Sequence, residues 1–240
     1  MIMVTKLKTG AVCATLALSF ALSACGGGGD AAGNATGEPS GTSGGTAAGE
    51  TGGTVAAPTL AEGPDVCFKA IAKHLGAETK VMEITSFFSA GKDIDGNAGE
   101  PEGTMTTCTV QYQNPADPRK VLATRLDTST GKFSEPQPVE LSVMGGNASE
   151  FKLDDYVIPL AKVDAGALKG VMDAQKAALG GVYSKYAWTG VRLEAPGSFS
   201  NDHRLRLDVD GRLASNDLKE NGYASISIDG KTITTNHLLP

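Results

Sequence analysis

Between Gly26 and Gly63, 13 of 38 residues are glycine, most of the rest are alanine, threonine or serine, and no aromatic side chain occurs. Such a stretch cannot bury enough apolar surface to offset the entropy lost on ordering it. Whatever folds must therefore lie beyond it, in residues 64–240, a length sufficient for a real core. The glycine-rich stretch itself reads as a flexible tether with a root-mean-square span of roughly 35 Å. Two lysines and four acids precede residue 64, so residues 64–240 keep 19 basic and 23 acidic side chains, a net charge of −4. Nucleic-acid binding normally needs a basic stripe that displaces counterions, so no nucleic-acid partner is expected.

Ahead of the tether, Lys6 and Lys8 supply a positive start, and Ala11 to Ala24 form an apolar run too short to span a bilayer. The run ends in Leu22-Ser23-Ala24-Cys25. This four-residue pattern in this setting resembles the signal of bacterial lipoproteins. The resemblance implies removal of residues 1–24, diacylglycerol on the Cys25 thiol, acylation such as palmitate, and a mature chain held to a membrane through its N-terminal lipid. It also implies a cell-envelope location. Gly26 carries no aspartate-type retention signal, so the outer membrane is favoured if the host has two membranes.

Cysteine counting follows from this. Cys13 leaves with the signal and Cys25 takes the lipid, so Cys67 and Cys108 remain in an oxidising compartment. Pairing them closes a loop of 41 residues, worth about 4 kcal/mol by the loop-entropy relation. A metal or redox pair would want CxxC spacing, which these two lack.

Cys67, Ile71 and Leu75 recur at i, i+4 and i+8 between Asp65 and Gly76, the pattern of one apolar helical face. Asp164 can cap a second helix whose stripe is Leu168, Val171, Met172 and Leu179, with Gly180-Gly181 as its stop. Strand-like runs follow each helix: Val81–Phe88, Met105–Gln113 and Lys120–Asp127, then Tyr186–Leu193, His203–Asp210 and Tyr223–Asp229. Alternation is clearest in the fifth, where Leu205, Leu207 and Val209 face one way and Arg204, Arg206 and Asp208 the other. Two hairpin signals, at Asp127 and Asp229, lie 102 residues apart, and Gly76 and Gly180 lie 104 apart. The expected fold is α+β: two tandem units of one helix packed on an antiparallel sheet of three to four strands, over residues 64–145 and 146–240.

The runs CFKAIAKHLGAETKVMEI, TCTVQYQ and VLATRLDTSTGKF, within residues 67–133, resemble a PepSY-type unit. The tandem helix-on-sheet plan is similar to the architecture of β-lactamase-inhibitor proteins. Both relatives are non-catalytic binding or inhibitory modules, and fold analogy alone does not transfer a function.

Catalytic patterns are sparse. His74, His203 and His237 are far apart in sequence, and His74 falls in the last turn of a helix, where the dipole favours it. Ser149-Glu150-Phe151-Lys152 fits an SxxK motif, but Ser215-Asn216-Asp217 has the wrong order for its companion and the single Lys-Thr-Gly lies in the signal. Asp93, Asp95, Asn97, Glu100 and Glu102 match a calcium loop in part. The sixth and twelfth positions are Ala98 and Thr104 instead of glycine and glutamate, so a solvated hairpin extension is the expectation. Gly230-Lys231-Thr232 has Ser225 where a phosphate loop needs glycine, and reads as a turn. No metal site, cofactor or catalytic residue is therefore expected. Arg192, Arg204 and Arg206 with Tyr186 and Trp188 have the composition of interface hot spots. The alternative for these five is core aromatics beside a solvated sheet face.

Together these features point to a lipid-anchored, non-catalytic module that binds an envelope protein or peptide, most concretely a peptidase or toxin inhibitor. The alternative is a structural or assembly lipoprotein of an envelope complex. A hydrolase with a site gathered from distant residues is the third class.

Overall fold

The computed structural model describes residues 2–4, 56–143, 148–197 and 200–240. The expected lipidation site Cys25 and all of the tether before residue 56 lie outside the described residues. Ile2–Val4 (β1) pairs antiparallel with Leu141–Val143 (β7), apart from the main sheet. Among the described residues, no helix is long and apolar enough to cross a membrane.

The first helix, Val66–Leu75 (α1), starts after Asp65 and stops at Gly76. Gly76 takes a φ of 93°, open to glycine at little steric cost, and its amide returns to the Ala72 carbonyl. Cys67, Phe68 and Ile71 are the buried side of α1. The strands that follow are Lys80–Phe88 (β2), Met105–Gln113 (β3) and Val121–Asp127 (β4), with the short Lys132–Phe133 (β5) and Gln137–Val139 (β6) both paired to β4. Ile158–Pro159 (β8) pairs the start of β2.

Asp164 accepts from the Ala167 amide and caps a 3-10 turn that runs into Leu168–Val182 (α2). Leu168, Val171 and Leu179 are buried along it, as their spacing implies. The glycine pair does not end this helix. Gly180 and Gly181 lie inside its last turn, and the chain passes at Tyr183 straight into extended backbone. The Val182 carbonyl is taken by the Ala214 amide, so no left-handed cap is needed. Tyr183–Glu194 (β9), Arg204–Leu213 (β10), Lys219–Ile226 (β11) and Ile233–His237 (β12) complete the chain.

The fold is α+β, with few helices and a large antiparallel sheet. Ten strands among the described residues join in one sheet whose main path is β12-β11-β10-β9-β2-β3-β4-β5, instead of two sheets of three to four strands. The seam is the β2–β9 ladder, from Ile84 opposite Leu193 to Phe87 opposite Gly190. Two separate sheets would leave both strands with unpaired N–H and C=O groups along an edge. Joining them buries Ile84, Ser86, Val191 and Leu193, and the Ser86 hydroxyl donates to the Val191 carbonyl at 2.7 Å.

Both helices share one core with the inward sheet face. Ile84, Val110, Val191, Leu193, Leu205, Leu207 and Val209 are each at most 1% exposed and pack in a single cluster with Ile71, Leu168 and Leu179. Cys67 and Cys108 form the expected disulfide, Cα–Cα 5.6 Å, clamping α1 onto β3. Among the described residues, the outward face is covered at its two ends. Residues 89–104 fold over one end, where Ala90 and Ile94 pack on Ala187. At the other end Leu153 and Val157 pack on Met82 and Val121.

Candidate functional site

Strand alternation puts Arg204, Arg206 and Asp208 of β10 on the outward face, opposite their buried neighbours Leu205 and Leu207. The register sets Arg206 directly across from Arg192 of β9, and Arg204 across from Glu194. Two arginines in direct cross-strand opposition repel. Asp208 resolves this: it accepts from Arg192 Nε and Nη2, each at 3.0 Å, and from Arg206 Nε at 2.8 Å. Gly190, across the ladder, leaves the space for that carboxylate, because a Cβ there would run into it. Arg204 Nε donates to Glu194 Oε2 at 2.8 Å.

These side chains are 15–28% exposed, so their ion pairs sit in a more sheltered setting than free surface pairs. Aromatic rings extend the row across the sheet. The Arg192 guanidinium lies 5.7 Å from the Phe87 ring centre, and that of Arg206 lies 3.8 Å over Tyr223. Tyr223 in turn meets His237 of β12 at 5.1 Å.

The acidic loop keeps Asp93, Asn97, Glu100 and Glu102 exposed, as a solvated extension does, but it is also held down over this face as a strap. Ile94 is 1% exposed. Asp95 pairs with Lys219 at 2.8 Å, Asp93 with Lys185 at 3.0 Å, and Arg212 Nε donates to the Ile94 carbonyl at 2.9 Å. The Lys219 hydrogen bond holds the Asp95 carboxyl below its ordinary range. Among the described residues, no group of three or more His, Cys, Asp or Glu side chains is placed to hold a metal ion.

Between the strap and the sheet lies a hollow of about 490 Å³, lined by Phe87, Glu100, Thr106, Thr189, Arg192 and Asp208 among others. A second hollow of about 310 Å³ is lined by Glu83, Thr85, Tyr156, Arg192, Glu194 and Arg204 among others. Arg192 borders both, so the two hollows adjoin beside β2 and β9, and together they are called the trough.

Glu83 was not singled out in the sequence. A register irregularity between Val81 and Glu83 lets Met82 and Glu83 both escape simple alternation, and Glu83 lands opposite Gln111 on the outward face. Gln111 Nε2 donates to Glu83 Oε2 at 3.2 Å, while Gln111 Oε1 is buried without a hydrogen-bond partner. Burial, and then Glu194, push the Glu83 carboxyl above its ordinary range against the pull of Arg192. A raised folded-state pKa means that the folded chain binds more protons than the unfolded one, so stability falls as pH rises through this window. Glu83→Gln is therefore expected to be more stable than the parent at pH 7. Urea unfolding should show that advantage vanishing near pH 4, where both states are protonated.

The five residues expected to share a partner surface are divided between the two faces. Arg192, Arg204 and Arg206 are outward, whereas Trp188 is 7% exposed in the core and contacts Tyr186 edge-on at 6.3 Å. A register irregularity next to Val209 sets Trp188 opposite that buried valine.

The histidines sit on different elements. His74 stacks on Phe133 at 4.3 Å, and a ring nitrogen of His203 lies 3.1 Å from the Tyr156 carbonyl, with burial lowering the His203 pKa. Ser149 and Lys152 fall in separate short segments before α2. Gly230 is a turn with φ 70°, where the Asp229 side chain accepts from the Lys231 amide. No family model matches this chain, and neither a curated protein nor a solved structure shows significant similarity to it.

Proposed function

We propose that this protein is a lipid-anchored, non-catalytic envelope module that binds a protein or peptide partner on the outward face of its sheet. The observation that carries the reading is the trough. It is open, floored by a ladder of paired charges, and flanked by Phe87, which is 38% exposed. Exposed aromatic surface beside ordered arginines is the composition of interface hot spots. The Cys25 motif and the glycine-rich stretch support a tethered location, and the Cys67–Cys108 disulfide fits an oxidising compartment.

On the same reading, residues 64–145 and 146–240 are tandem helix-plus-sheet copies joined first strand to first strand. Support comes from the order α1-β2-β3-β4 against α2-β9-β10-β11. The two hairpins add to it: Asp127 and Asp229 each accept from the amide two residues on, ahead of a glycine with φ near 70°.

Crosslinking in intact cells, followed by mass spectrometry, is expected to recover a discrete envelope partner. Phe87→Asp should abolish its capture, because the new carboxylate replaces the exposed ring at the trough wall. A conditional target would mark an inhibitor, and a constant stoichiometric one an assembly protein. Unchanged capture by Phe87→Asp would remove this face as the site.

A further inference from the structure

Arg204, Glu194, Glu83 and Gln111 stand in one row across the outward face. Arg204 is opposite Glu194, and Glu83 is opposite Gln111. The β2–β9 ladder pairs Ile84 with Leu193, and one step beyond that pair Glu83 and Glu194 are neighbours. Two carboxylates side by side across a ladder repel, and such a site retains one proton more readily than separate carboxylates do. The cations decide which carboxyl holds the charge. Arg204 Nε lies 2.8 Å from Glu194, with Arg192 Nη1 at 3.8 Å and Arg206 Nη1 at 4.0 Å. Among the described residues, no lysine, arginine or histidine comes within ion-pair distance of Glu83. The proton therefore belongs to Glu83.

The other side of Glu83 supplies an independent observation. Gln111 Nε2 donates to Glu83 Oε2 at 3.2 Å, yet Gln111 Oε1 is buried and has no donor. Gln111 lines neither hollow, so solvent in the trough does not reach this oxygen. A buried acceptor left unmade is destabilising. An ionised Glu83 cannot mend it, because a carboxylate only accepts. A protonated Glu83 can, because it keeps an acceptor and gains an O–H donor.

We propose that protonated Glu83 and Gln111 form an acid–amide pair closed by two hydrogen bonds, and that loss of the proton breaks the pair, making it a pH-sensitive clasp across the β2–β3 ladder. In it Gln111 Nε2 donates to Glu83 Oε2, and the Glu83 hydroxyl donates to Gln111 Oε1. The clasp stands whether or not the trough binds a partner. The other titratable and charged groups about Glu83 leave it intact. Arg192 and Glu194 of β9, Arg204 of β10 and Tyr156 of the 153–156 turn line the smaller hollow with it. Arg204 is committed to Glu194, Arg192 to Asp208, and Lys80 at the start of β2 to Asp154. Burial and Glu194 outweigh Arg192 and push the Glu83 carboxyl above its ordinary range. The folded chain thus holds this proton more tightly than the unfolded one. The clasp's stabilisation is fully present below the unfolded glutamate range and is lost as pH rises through the folded value. Acid, which loosens most carboxylate pairs, tightens this one.

Two measurements test the clasp. In the first, the protein is isotope-labelled at the side-chain carbonyl carbons of glutamate and glutamine and titrated by NMR. The Glu83 carboxyl should titrate above a free glutamate, and the Gln111 carbonyl carbon should move with the same midpoint as its hydrogen bond is lost. In the second, urea unfolding near pH 4 compares two variants, at a pH where the parent keeps the clasp. Glu83→Gln can both accept from and donate to Gln111, so its folding constant should stay within about twofold of the parent's. Glu83→Leu fills the same space but strands both Gln111 Nε2 and Oε1, and should lose about tenfold. Burial of the carboxyl without the clasp predicts the reverse for leucine, a gain from removing a buried polar group. A Glu83→Leu variant as stable as the parent near pH 4 would overturn the proposal. So would a Gln111 carbonyl resonance that stays flat while Glu83 titrates, a result read from the parent even if Glu83→Leu does not fold.

Discussion

Replacing both Cys67 and Cys108 with alanine is expected to lower the free energy of unfolding by about 4 kcal/mol. The bond spans 41 residues and both half-cystines are fully buried, so its removal frees a large loop in the unfolded chain and loosens packing in the folded one. The loss should be local as well as global. A helix of ten residues is marginal by itself, and α1 buries Cys67, Phe68 and Ile71 while Val66, Ala70, Ala72 and Leu75 pack on the core only in part. Hydrogen exchange should therefore show α1 opening before β9 and β10. Urea unfolding of the double variant, and of the parent with reductant, should give matching midpoints well below that of the oxidised parent. A difference under about 1 kcal/mol would mean that the inward packing alone fixes the helix.

That disulfide was readable in the sequence because several periodicities converged on it. Cys67 falls on a helical stripe with Ile71, Cys108 alternates with Val110 and Tyr112, and all five are buried in one cluster. The outward and inward sides of β10 were readable for the same reason: six residues of strict alternation leave one way to bury Leu205, Leu207 and Val209. What alternation does not encode is the neighbour across a ladder. The β2–β9 seam joins residues more than 100 positions apart, and nothing local in Ile84–Phe87 marks that edge as destined for Gly190–Leu193.

Register irregularities hid other features. The one before Glu83 concealed a carboxyl on the outward face, and the one beside Val209 accompanies Trp188 turning inward, away from the arginines with which its composition grouped it. The strap was obscured by its own composition. An acidic, glycine-containing loop normally stays in solvent, yet Lys185, Lys219 and Arg212 from three distant positions hold it down over Ala187.

Asp208→Ala is expected to cost about 2 kcal/mol, a large effect for an outward-facing position. The carboxylate is 15% exposed and receives three hydrogen bonds from two guanidinium groups that the register forces into direct opposition. Without it, Arg192 and Arg206 remain half-buried beside Phe87 and Tyr223, unpaired at that position and repelling each other. The estimate sits below the 3–5 kcal/mol typical of fully buried pairs because about a quarter of each arginine side chain still reaches water. A double-mutant cycle separates this cause from a general loss of packing. Arg192→Ala in the parent should destabilise, whereas in the Asp208→Ala background it should be close to neutral, since it then removes a repelling charge. Coupling near zero, or a cost for Asp208→Ala within about 0.5 kcal/mol of the parent, would show that the row of charges is ordered without contributing to stability. A measured coupling of about 1.5 kcal/mol or more would establish that Asp208 ties the opposed arginines into the floor of the trough before any partner arrives.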